Sequence, residues 1–344
     1  MRLALDRRRF VRTSALTIAL LVGLDQPSLF ANVGYLCPEA ERNGALLGHL
    51  EFLNEGPVEM DAAFGEELDG RLYTSLRGIT DKELITSADR FYLRARASKI
   101  LLREDSWKIS IEGLVASSSP VGIGELRAKS KPLGLHLMEC AGNTRAAHFG
   151  MISVGEGTGI PISELLAAAS VKPSATQILV SGFDRYVGNS ATSTPGDLSA
   201  GRTVESVPGD RIGQKAAVAR PRCAGVPPQL ARDFRAARIE HAAMPIRVEK
   251  WQAGYSLQYR VFGILWGGTQ TVSAIGIRFN PEEEYVRVDS LPTPQSGTWT
   301  LWWHQWRPKE SGTHTIRLAI LDPALPPQRL ESGYHARTVE ITEV

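Results

Sequence analysis

The rhythm of apolar and polar positions along this chain changes twice. Leu133, Leu135 and Leu137 alternate with Gly134, His136 and Met138, and the alternation runs straight into Cys140. A period of two marks a strand with one buried face. A strand is therefore predicted to end at the cysteine, with His136 in a structural role on the face opposite the leucines. Upstream, Phe91 to Arg96 reads as a strand. Trp107 to Gly113 alternates into a closing glycine, which predicts a half-buried strand and a turn. Gly124 to Arg127 starts a short helical turn, Gly155 to Gly159 reads as a flexible loop, and Pro161 suits the first turn of a helix. Ile162, Leu165, Leu166 and Ala169 then recur at helical spacing, which predicts one face packed on a sheet. Gln177 to Val180 is a buried strand that leads to Asp184.

From Val187 to Gln229 no period holds, and glycine, proline, serine and arginine dominate. A structureless run of that length is unusual inside a compact domain. After Phe234 the texture becomes all-β. Tyr255, Leu257, Tyr259 and Val261 alternate with polar neighbours, as do Ile316, Leu318 and Ile320, and Val339 and Ile341 follow. Turns rich in glycine, proline and aspartate separate these runs, which predicts an antiparallel sandwich. Trp299, Trp302, Trp303 and Trp306 are expected in its core or at a subunit interface, because an indole buries a large area.

Composition narrows the picture. A chain of 344 residues is too long for one compact core and suggests two domains. A net charge of +2 argues against a nucleic-acid binder, which would carry a basic stripe. The three cysteines, Cys37, Cys140 and Cys223, cannot all pair, and no two have metal-ligand spacing. No haem-attachment motif is present, so an electron carrier would be a separate protein. At the N-terminus Arg7, Arg8 and Arg9 precede Phe10, and an apolar run follows from Ala15 to Leu24. That run is too short to span a membrane and resembles a twin-arginine export signal, with Ala31 as a candidate cleavage position. The expected location is the periplasm, with no membrane span in the mature form. Residues 32–87 read as an irregular arm.

The candidate chemistry centres on Glu139-Cys140-Ala141-Gly142-Asn143-Thr144-Arg145. A soft thiol is delivered at the end of a strand. Glycine and asparagine tolerate positive φ and let backbone N–H groups approach an anion, and a cation follows. A buried structural cysteine is the plainer alternative. A Cys140–His148 hydrolase lacks an evident third orienting group.

The Cys-Ala-Gly-Asn core followed by Arg145 resembles the sulfite oxidase family of molybdopterin-dependent oxidoreductases. The flanks agree: Phe91-Tyr92-Leu93-Arg94 is similar to the family's Phe-Phe-x-Arg, Trp107-x-Ile109-x-Ile111-x-Gly113 to its Trp-x-Leu-x-(Val/Ile)-x-Gly strand, and Gly159-Ile160-Pro161-Ile162 to its Gly-Val-Pro-Leu. Gly263 to Gly268 is similar to a part of the family's immunoglobulin-type dimerisation domain. The resemblance implies an α+β chain. Its parts would be a signal at 1–31, an arm at 32–87, a mixed α/β molybdopterin-binding domain at 88–230 with a shortened segment at 187–229, and an immunoglobulin-like dimerisation domain at 234–344.

It also implies a molybdenum–molybdopterin cofactor with Cys140 as the thiolate ligand, since a soft sulfur suits the metal. Arg94 and Arg145 would bind a sulfur oxyanion. Arg94, Ala95, Arg96, Cys140, Asn143 and Asp184 would line the cofactor. The partners implied are sulfite or a related sulfur compound, a carrier such as cytochrome c, and a second copy of the chain. This chain departs from the family at Arg96, where the family has His, and at Gly157, where it has Trp. It also lacks the His-Gly-x-Pro-x-Arg segment, and Lys250-Trp251 stands outside the context of the later Lys-Trp motif. An exported, non-catalytic dimeric scaffold that has lost the cofactor is the alternative.

Overall fold

The computed structural model describes residues 44–55, 61–64, 69–96, 107–140, 143–175, 178–180, 202–204, 206–207, 211–212, 239–295, 297–325 and 327–344. Strand β1 (Ala45–Leu50) comes first, followed by an antiparallel sheet of β2 (Asp61–Phe64), β3 (Asp69–Leu72) and β4 (Leu93–Arg96). The short strands β5 (Lys108–Ile109) and β6 (Val121–Gly122) pair, and helix α1 (Ile123–Lys129) follows. β7 (Lys131–Glu139) and β8 (Ile152–Gly159) form a long antiparallel pair, and α2 (Ile162–Ala168) comes next. β9 (Ile178–Val180) pairs with β10 (Arg202–Val204), and β11 (Ser206–Val207) with β12 (Arg211–Ile212). The rest of the chain supplies β13 (Ala242–Ala253), β14 (Ser256–Trp266), β15 (Ile275–Arg278), β16 (Val286–Arg287), β17 (Thr300–Trp306), β18 (Gly312–Ile320), α3 (Gln328–Glu331) and β19 (Arg337–Ile341). The described chain is thus mostly β, with a few short helices.

Two four-stranded antiparallel sheets, ordered β1-β13-β14-β17 and β16-β15-β18-β19, share one core. Tyr259, Val261, Ile316, Leu318, Val339 and Ile341 all enter it, as their alternation predicts, while Tyr255 stands in solvent at the β13–β14 turn. The outer face of the first sheet is also covered. Met244, Ile246, Phe262, Ile264 and Trp266 pack there against Leu76, Ile79, Phe149, Ile152 and Val154. A strand buried on both faces reads as an unbroken apolar run, which is why Val261 to Trp266 shows no polar interruption. Trp302 and Trp306 lie in the core between the sheets and Trp299 in the layer outside it, so these three take the core positions expected of them. Gly263 has no Cβ where the indole of Trp302 crosses β14.

The stretch read as an irregular arm supplies β1, which runs antiparallel along β13. It also supplies Glu55, whose carboxylate grips the buried guanidinium of Arg337 with both oxygens. Residues Gly155 to Gly159, expected as a loop, are instead the second half of β8, with Gly155 opposite His136 and Gly157 opposite Gly134. Close approach rather than turning explains Gly155: a Cβ there would meet the ring of Phe91 at 3.0 Å. Gly134, with φ +82, sits where the β7–β8 register shifts, a conformation that suits glycine.

The strand expected from Trp107 is confined to Lys108–Ile109, because its partner β6 is equally short and the chain turns at Gly113 with φ +97. Pro161 caps α2 rather than entering it, and no residue inside that helix is fully buried; Ala169, just beyond its end, is the buried member of the predicted face. Within 187–229 the described residues form β10, β11 and β12. The export signal, Cys37, Asp184 and Cys223 lie outside the described residues.

Candidate functional site

Cys140 follows β7 directly and is half-buried. Its N–H donates to the Met151 carbonyl at 2.9 Å, and the Asn143 N–H donates to the Cys140 carbonyl at 2.9 Å. The Asn143 side chain, almost wholly buried, accepts the Met151 N–H on Oδ1 at 3.0 Å. The loop between the two strands is therefore closed at its base by backbone and side chain together. It returns through a helical turn at Arg145–Ala147, after which His148 (φ 46) and Phe149 (φ 54) are both left-handed. Such residues cost on the order of 1–3 kcal/mol each and persist only where their surroundings fix them. Here the Phe149 N–H donates to the Thr144 carbonyl at 2.9 Å, and its ring is sealed in the layer outside the first sheet.

Glu139, the residue before the cysteine, turns a carboxylate with only 5% side-chain exposure away from solvent. A buried carboxylate needs donors, and it has three. Trp266 Nε1 reaches Oε2 at 3.1 Å, while Arg329 Nη1 and Asn143 Nδ2 reach Oε1 at 3.2 and 3.4 Å. Arg145, half-buried, donates from Nη2 to the Ala336 carbonyl at 2.6 Å.

Tyr92 lies within electrostatic reach of Cys140 and Glu139. Burial pushes its phenol well above the ordinary range, and its electrostatic interactions with Cys140 and Glu139 push the same way. The hydroxyl thus keeps its proton at neutral pH. The Tyr92 backbone is fixed by an N–H bond of 3.0 Å to Ser153 Oγ, which in turn shares a 2.6 Å bond with Thr74 Oγ1.

His335 lies behind the loop, 2% exposed, with ring centroids of Tyr334, Trp266 and Phe149 at 4.9, 5.2 and 5.3 Å. Burial, helped by the charges of Arg329, Arg145 and Arg337, pushes its pKa down to about 3, so the ring is neutral at ordinary pH.

Of the residues singled out in the sequence, the structure brings Cys140, Asn143 and Arg145 into one loop. Asn143 and Arg145 have side chains engaged with the protein itself, Asn143 with Met151 and Glu139 and Arg145 with Ala336. Arg94, Ala95 and Arg96 lie on β4, with Arg94 opposite Arg71, and their side chains lie outside the described structure, as does Asp184. No sequence pattern assigns a role of their own to Tyr92, Glu139, Arg329, Tyr334 or His335. Glu139 had one usable signal, an acid at the end of a half-buried alternation. Tyr334 and His335 had none, since their link to the cysteine spans most of the chain.

Residues 97–204 match the oxidoreductase molybdopterin binding domain family. Among solved structures the chain is similar to the sulfane dehydrogenase SoxCD from Paracoccus pantotrophus, at 15% identity and a TM-score of 0.50, over 93% of this chain and 96% of that one. At this identity the likeness is one of fold. No curated protein sequence matches the chain.

The domain match implies a molybdopterin cofactor, and the donor set at the loop fits one. Among the described residues no three His, Cys, Asp or Glu side chains gather to hold a metal. A metal at Cys140 would take its other ligands from the cofactor, and a single soft thiolate is then the appropriate protein donor. Over residues 97–204 the chain matches an oxidoreductase molybdopterin binding domain, in keeping with its sequence resemblance to the sulfite oxidase family of molybdopterin-dependent enzymes.

Proposed function

We propose that this protein is a molybdenum-dependent oxidoreductase that oxidises sulfite or a related sulfur compound. The reading rests on one observation above all: a cysteine at the end of β7, on a loop closed at its base, lies inside the stretch that matches the molybdopterin binding domain. Cys140 serves as the thiolate ligand, since metal coordination deprotonates a thiol outright. Arg94 and Arg145 supply positive charge for an oxyanion. Arg94, Ala95, Arg96, Asn143 and Asp184 border the cofactor. Bound molybdenum–molybdopterin supplies oxygen-atom transfer to a sulfur lone pair. In the net reaction the substrate gains an oxygen from water, two protons are released, and an electron pair leaves to a separate carrier such as cytochrome c.

The twin-arginine pattern at Arg7 and Arg8 supports export to the periplasm with the cofactor already in place. The two-sheet sandwich supports a homodimer, and the structural likeness to a sulfane dehydrogenase supports a sulfur substrate.

The test is metal analysis of the full chain, expressed in a host that makes molybdopterin. About one molybdenum per chain is expected from single-cysteine ligation, and Cys140→Ser should lose both metal and turnover while staying folded. A wild-type chain free of molybdenum would establish the alternative, a non-catalytic scaffold.

A further inference from the structure

We infer that the turn at residues 329–336, carried by the sandwich, is the positioning element of the Cys140 loop, and that Tyr334 is its principal positioning residue. Three bonds run from this short segment to residues 139–145. Tyr334 Oη donates to the Asn143 carbonyl at 2.6 Å, Arg329 Nη1 donates to Glu139 Oε1 at 3.2 Å, and the Ala336 carbonyl accepts from Arg145 Nη2 at 2.6 Å. The first has the shortest route to the thiol. The phenol holds the Asn143 peptide, whose neighbouring N–H holds the Cys140 carbonyl at 2.9 Å.

The segment is suited to the task because it is itself fixed. α3 opens it, the Tyr334 N–H donates to the Arg329 carbonyl at 3.0 Å, and the Ala336 N–H donates to the Gly333 carbonyl at 3.0 Å. β19 then carries it into the core between the sheets, where Val339 and Ile341 have no exposure. The Tyr334 ring packs edge-on to Phe149 at 5.6 Å and perpendicular to His335 at 4.9 Å. Tyr334→Phe therefore keeps the packing and removes only the hydroxyl.

The value of the clamp to catalysis rests on the proposed role of Cys140, but the clamp itself is testable without it. The full chain is prepared from a host unable to make molybdopterin. The rate of iodoacetamide alkylation at Cys140 is followed at fixed pH by mass spectrometry of the peptide that carries it. Tyr334→Phe should raise that rate about fivefold, the equivalent of one lost hydrogen bond in the local opening equilibrium. Ile316→Val, which thins the sandwich core, should lower the melting temperature and leave the Cys140 rate unchanged. Arg329→Met should raise the rate, and Arg329→Lys, which retains a donor for Glu139, should restore it toward wild type.

An unchanged rate in Tyr334→Phe, or an equal rise in Ile316→Val, would overturn the inference. If the wild-type chain also fails to bind molybdenum in a competent host, the proposed function fails while the alkylation comparison still decides the clamp. If molybdenum binds, Tyr334→Phe should lower turnover at saturating substrate more than it raises the KM, because substrate contacts are untouched.

Discussion

In β13 and β14, order comes from side chains packed on both faces of the sheet, whereas between Cys140 and Met151 it comes from the one sealed ring of Phe149 together with single hydrogen bonds to backbone groups. The sheet contributes residues to two cores at once and includes Val261 and Ile264 with no exposure. The loop contains two left-handed residues and is held by hydrogen bonds to distant parts of the chain, Tyr334 donating and the Ala336 carbonyl accepting. The sheet can therefore tolerate the loss of one hydrogen bond with little local consequence, and the loop cannot. The sandwich thus gives the loop a frame in addition to any role it has in pairing subunits.

That contrast can be broken at four points. The largest effect is expected from Trp302→Ala, which opens a cavity in the sandwich and should cost about 3–5 kcal/mol in urea unfolding. Alkylation of Cys140 in the remaining native fraction should stay at the wild-type rate. Glu55→Gln should cost about 3 kcal/mol by the same measurement, because it leaves the buried Arg337 guanidinium without its charge partner. Arg337 also lies 5.8 Å from the Phe149 ring, so this variant should speed Cys140 alkylation as well.

Acid comes third. The unfolded chain binds a proton at His335 near pH 6.5, while the folded chain resists until about pH 3, so stability falls as pH drops through that window. Between pH 6.5 and 5 the loss should be about 2 kcal/mol, and His335→Phe should flatten that part of the pH profile. The smallest global change is expected from Asn143→Ala. It strands the Met151 N–H at a cost of about 1–2 kcal/mol, but among the four it should show the greatest rise in Cys140 reactivity for each degree lost in melting temperature.

Much of this was legible in the sequence. The alternation of Leu133, Leu135 and Leu137 located β7 and its delivery of Cys140, and the alternations at Tyr259–Val261, Ile316–Leu318 and Val339–Ile341 located the sandwich core. What escaped has physical causes. Gly155 was misread because a glycine that makes room for a ring across a sheet looks the same in sequence as a glycine that turns. β1 was missed because most of its residues are exposed and its pairing with β13 carries no local pattern. Glu139 was passed over because its meaning depends on Trp266 and Arg329, and neither is near it in the chain.

That distance also bears on how the protein is made. Tyr334 and Ala336 each lie 191 residues from their partners at the loop, and Arg329 lies 190 from Glu139. At about 5–20 residues per second, a ribosome needs on the order of 10–40 s to pass from one end of those contacts to the other. Throughout that interval the nascent chain presents a cysteine whose surroundings are unfinished.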